Sequence, residues 1–103
     1  MRFSAAKRIA ECWVEASTDG QAVLHLEKIQ SLPYGWVFFY NSPEFIADSS
    51  NAEASLVGNV PFLIERTNGE LRVLGLNYKE RLREIEKELP AACLGMSPEV
   101  ARW

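Results

Sequence analysis

The sequence predicts an α+β domain: an antiparallel sheet of about four strands flanked by N- and C-terminal helices, in α-β-β-β-β-α order. Three observations predict it. Apolar residues recur at helical spacing at both ends, an aromatic run alternates through Tyr34–Tyr40, and Asn68-Gly69 separates two apolar stretches.

Phe3, Ala6, Ile9, Ala10, Trp13 and Ala16 recur every three or four residues, which places them on one stripe of a first helix. Thr18-Asp19-Gly20 lacks helix formers, and Gly20 can adopt the left-handed conformation that commonly ends a helix. From Ala22 to Ile29 the pattern moves towards period two, with Val23, His25, Glu27 and Ile29 on one side of a half-buried strand. Ser31 to Gly35 reads as a connection, because Pro33 cannot donate to a ladder and Gly35 tolerates a bend.

The aromatic strand follows, with Trp36, Phe38 and Tyr40 on one face and Val37 and Phe39 on the other. Both faces are apolar, which suits a central strand. Asn41 to Val57 is polar and is the longest stretch without a strand pattern, although a short helix fits Pro43 to Ala47. A connection of that length in a small domain tends to be functional. Val60–Thr67 and Glu70–Leu76 then flank Asn68-Gly69, the signature of a tight type I′ hairpin turn. That turn implies pairing of Thr67 with Glu70, Glu65 with Arg72 and Ile64 with Val73, with Phe62, Ile64, Leu71 and Val73 on one apolar face. The reverse face, with Leu63 and Leu74 beside Glu65 and Arg72, reads as partly covered. Asn77 can cap a final helix with Glu80 as its capping-box partner, Tyr78, Leu82, Ile85 and Leu89 form its buried stripe, and Pro90 stops it.

A chain of 103 residues, 48% hydrophobic and 24% charged, fits one domain, taken as residues 1–90 with 91–103 as a C-terminal extension, packed or frayed. A formal charge of −3 argues against nucleic acid and suits a basic partner. Two cysteines, Cys12 and Cys93, do not make a disulfide scaffold, and the N-terminus lacks the apolar run of a signal peptide. No apolar run is long enough for a bilayer, so a cytoplasmic location is expected.

The chemistry of catalysis is not visible, and the expectation is a protein that is not an enzyme. His25 is the single histidine, without a second histidine or cysteine at ligand spacing, so no metal or cofactor is expected. Gly58-Asn59 lacks the following lysine of a phosphate loop. Glu44 with Asp48 and Glu80 with Glu84 are pairs that a solvated surface explains. Tyr34, Trp36 and Tyr40 admit two readings, core packing or the anchors of a protein interface.

The run Tyr34-Gly-Trp-Val-Phe-Phe-Tyr-Asn-Ser, then Val57-Gly-Asn-Val-Pro-Phe-Leu-Ile, Asn68-Gly69 and Val73-Leu-Gly75, resembles the bacterial immunity protein 35 family of polymorphic toxin systems. The matching positions are Tyr34, Gly35, Trp36, Phe38, Gly58, Asn59, Pro61, Gly69 and Gly75, most of them structural in character. The resemblance implies a cytoplasmic immunity protein that neutralises a cognate toxin domain by stoichiometric binding. Glu44, Asp48 and Glu53 of the loop, with Tyr34, Trp36 and Tyr40 as exposed aromatics, are the expected contacts with a basic toxin. The alternative is a small chaperone-like or stress-associated protein-binding domain. A hairpin edge permits a homodimer as readily as a monomer.

Overall fold

The computed structural model describes residues 1–56 and 59–101. Helix α1 (Phe3–Thr18) forms over the first apolar stripe and buries Phe3, Ala6, Ala10 and Val14. Val14 replaces Ala16 in that stripe, and Ala16 is exposed. At 3.6 residues per turn, Val14 lies about 40° round the helix from Ala10, whereas Ala16 lies about 120° away. The helix ends in two left-handed residues, Asp19 (φ 54°) and Gly20 (φ 76°), whose N–H groups both donate to the Glu15 carbonyl.

The strand expected over Ala22–Ile29 is broken. Val23–Leu24 forms β1, a single 3-10 turn occupies Leu26–Lys28, and Gln30–Leu32 forms β2, where a connection was expected. The aromatic strand is broken in register with it, into β3 (Gly35–Phe38) and β4 (Tyr40–Asn41). The two halves then serve different sheets. β1 pairs with β4, while β2, β3, β5 (Phe62–Glu65) and β6 (Leu71–Val73) form a four-stranded antiparallel sheet in that spatial order. The α+β class and the four-stranded sheet therefore hold, with a small second sheet added.

Each long helix covers one face of the larger sheet. On one side α1 packs Phe3, Ala6 and Ala10 against Trp36, Phe38, Phe62 and Ile64. The rings make stacked and tilted contacts, with Phe38 and Phe62 5.5 Å apart and Trp13 and Phe62 4.6 Å apart. Aromatic pairs of this kind contribute about 0.5–1.5 kcal/mol each beyond the area they bury. On the other side Val37, Leu63 and Leu74 meet Leu82 and Ile85 of α3 (Tyr78–Glu88). The reverse face expected to be partly covered is closed by this helix.

The hairpin between β5 and β6 is longer than a two-residue turn. Phe62 pairs with Val73, Leu63 with Arg72 and Ile64 with Leu71, two residues out of the expected register. Only Gly69 (φ 70°) takes a left-handed conformation there; its N–H donates to the Glu65 carbonyl, and the Glu70 N–H to Asn68 Oδ1. Because the shift is even, the apolar face made by Phe62, Ile64, Leu71 and Val73 is preserved.

Asn77 occupies the N-cap position of α3 without a side-chain cap hydrogen bond, so the capping box with Glu80 does not form. Pro90 ends that helix and leads into a short helix α4 (Ala91–Leu94). Residues 97–101 then run back over the fold, where Trp36 Nε1 donates to the Glu99 carbonyl at 2.8 Å.

Candidate functional site

The loop after β4 is built on two buried polar residues. Asn41 and Ser42 are 7% and 6% exposed, and their side chains hold both ends of the excursion. Asn41 Oδ1 accepts from the Ser42 N–H at 2.8 Å and from the Leu56 N–H at 2.9 Å. Ser42 Oγ accepts from the Phe45 N–H at 3.1 Å, capping α2 (Pro43–Ala47), and donates to the Ala54 carbonyl. Pro43 sits at the first helical position, where a missing N–H costs nothing. The expected short helix is therefore present over the expected residues.

Beyond α2 the chain turns at Asp48, whose Oδ1 accepts from the Ser50 N–H and hydroxyl at 3.1 and 2.6 Å. Those hydrogen bonds hold the Asp48 carboxyl below its usual pKa. A 3-10 turn at Ala52–Ala54 carries Glu53 and returns the chain to Asn41. Phe45 of α2, His25, Lys28 and Phe39 line one small cavity between the loop and the 3-10 turn after β1. Burial, then the Lys28 charge, lowers the His25 pKa against the opposing effect of Glu27.

This geometry brings Glu44, Asp48 and Glu53 onto one anchored excursion, all three exposed. None of them is in an ion pair among the described residues. Val57, at the end of the expected loop, and Gly58 lie outside the described residues.

The aromatics are placed differently. Tyr34, Trp36 and Tyr40, expected as exposed anchors, are 3%, 0% and 8% exposed. The Tyr34 hydroxyl donates to Glu86 Oε2 at 2.7 Å, and its pKa is raised by burial and then by that carboxylate. Trp36 lies under residues 99–101, and Tyr40 stands edge-on to Trp13 at 5.7 Å. Their burial follows from α1 and α3 taking one sheet face each. The anchoring role of Asn41 and Ser42 is not part of the sequence expectation; its signal is Asn-Ser-Pro, an N-cap serine directly before a first-turn proline.

Among the described residues no group of three or more His, Cys, Asp or Glu side chains is placed to hold a metal ion, and no helix is long and apolar enough to cross a membrane. Fold and loop together define a small α+β domain whose outward feature is a braced acidic loop. The chain belongs to the immunity protein 35 family, which matches residues 4–88. It is also 42% identical over 41 residues to the uncharacterized protein YrhB of Escherichia coli (strain K12), a stretch covering 40% of this chain and 43% of that protein. The chain thus aligns with less than half the length of this curated relative. No solved structure matches it.

Proposed function

We propose that this protein neutralises a cognate toxin domain by stoichiometric binding, with Glu44, Asp48 and Glu53 as the surface that meets a basic patch on the toxin. Membership of an immunity family supports the class of partner. The observation that carries the site is the loop itself: three exposed carboxylates on a backbone braced at both ends by Asn41 and Ser42. A braced loop loses little conformational entropy on binding, and unpaired surface carboxylates steer a basic partner during encounter.

Inhibition by occupation requires no turnover, in keeping with a protein that acts by binding. Tyr34, Trp36 and Tyr40 contribute indirectly in this reading, by stiffening the sheet from which the loop springs.

The test is co-expression with candidate toxin domains of polymorphic toxin systems, in a sensitive cell, together with measurement of the association rate of any purified pair. Changing Glu44, Asp48 and Glu53 together to Lys is expected to abolish protection and to slow association by about ten-fold or more at low salt. Full protection by the triple variant would remove the loop from the interface. Absence of any complex with the native chain would remove the toxin reading altogether.

A further inference from the structure

The C-terminal segment beyond the family match is seated like a bound peptide. Residues 97–101 (Ser-Pro-Glu-Val-Ala) lie against the N-terminal end of α1 and the neighbouring strands. Glu99 is its principal anchor. Its Oε2 accepts from the Phe3 N–H at 2.6 Å, its Oε1 lies 3.1 Å from Arg2 Nε, and its carbonyl accepts from Trp36 Nε1 at 2.8 Å. Arg66 Nη1 donates to the Ser97 carbonyl at 2.6 Å, and the Ala101 N–H donates to Ser31 Oγ at 3.2 Å. Glu99 and Ala101 face inward while Val100 is 66% exposed, the alternation of an extended segment.

Each receiving group answers a need that α1 and the sheet leave open. The first N–H groups of a helix have no partner within it, and α1 has neither an acidic residue in its first turn nor a side-chain cap from Arg2. The Trp36 side chain is fully buried, and its indole N–H takes its acceptor from the segment. The groove thus supplies one paired site for a carboxylate, two donors for backbone carbonyls and an acceptor for a backbone N–H. That set reads an extended peptide with a central Glu, using main-chain contacts for affinity and the carboxylate for selection.

We infer that this groove is a recognition site for short extended acidic peptides, occupied in cis by residues 97–101. It lies apart from the acidic loop and selects a ligand of opposite charge to the basic partner assigned there. An external acidic segment enters by displacing the tethered one, so its apparent affinity for the native chain is reduced by the small fraction of time the groove is open.

The test uses the full chain and a fluorescent peptide of residues 96–101. Glu99→Lys repels the tethered segment from Arg2 and the helix N-terminus while leaving every groove residue in place, and Glu99→Gln removes the ion pair without adding repulsion. Both variants are expected to bind the free peptide about ten-fold or more tighter than the native chain, as for any site freed from a competing occupant. A peptide carrying Gln in place of Glu should bind the same variants more weakly. Far-ultraviolet circular dichroism reports folding, and if Glu99→Lys fails to fold, Glu99→Gln alone decides. Equal uptake by native chain and variants, no uptake by a folded variant, equal binding of the Gln peptide, or dimerisation of the variants without peptide uptake would each overturn the assignment.

Discussion

The Glu65 carboxylate, 3% exposed, accepts a 2.8 Å hydrogen bond from Arg72 Nε, although Arg72 stands opposite Leu63 in the ladder. The guanidinium reaches diagonally along the hairpin and also approaches Glu70 and Glu88 at 3.8 and 3.4 Å. It therefore ties β5, the turn and α3 together. Removing the cation alone leaves a buried carboxylate without its partner. Arg72→Met is expected to cost about 3 kcal/mol, the low end for a broken buried pair because Arg72 itself is partly exposed. Urea unfolding should show a lower midpoint at an unchanged slope, and Glu65→Leu with Arg72→Met should recover most of the loss.

The loop depends on Asn41 in the same quantitative sense. Asn41→Ala strands the Ser42 and Leu56 N–H groups, at a cost of about 2 kcal/mol if water does not replace the lost acceptor. Hydrogen exchange at Leu56 should accelerate, while the amides of β3 and β5 slow to exchange in the native chain remain so. Unchanged exchange at Leu56 would show that the loop is held by other contacts.

Tyr34 should make stability sensitive to alkali. Its pKa is raised by burial first and by the hydrogen bond to Glu86 second, so the folded chain favours the neutral phenol. A raised folded-state pKa contributes stability that is complete below the ordinary phenol value of about 10 and declines as the pH rises past it. Tyr34→Phe removes that decline, at a cost near neutrality of about 1 kcal/mol for the lost hydrogen bond. Denaturant midpoints measured from pH 8 to 11 on both proteins provide the comparison.

Gly35 has a steric role that side-chain patterns do not reveal. A Cβ there would lie 2.2 Å from the Ile64 carbonyl oxygen and 3.1 Å from the Glu65 Cα, both main-chain atoms of the adjoining strand. Gly35→Ala must push β3 from β5, at a cost of about 3 kcal/mol. In a domain of this size that corresponds to a fall in Tm of more than about 10 °C, measurable by calorimetry.

Features set by near neighbours were readable from the sequence. The stripe of α1, the alternation of Trp36 and Phe38 against Val37, the short helix after Ser42 and the stripe of α3 all follow from local periodicity. The place of the hairpin was readable too, but its register was not. Asn68-Gly69 is compatible with several loops, and the Glu65 carbonyl accepts from Gly69 in a longer one. The break at His25–Lys28 carries neither glycine nor proline, and it exists because β1 and β2 join different sheets. Glu99 was invisible for a related reason: its partners Arg2, Phe3 and Trp36 lie at the other end of the chain or in its middle. For the candidate site, the acidic residues were legible as exposed loop positions. The aromatics were misplaced because period two identifies the two faces of a strand without saying which helices will cover them.

Asn41 and Ser42 close the excursion on itself before the chain resumes its course towards β5. Side chains on the outer surface of that closed circuit can therefore be exchanged with little penalty to the sheet, and the sheet can be tuned without altering what the circuit displays. Under the proposed toxin-binding role, such separation would let new specificities be sampled on an unchanged foundation. Grafting foreign residues between Pro43 and Ser55 should leave the sheet folded, which circular dichroism would check.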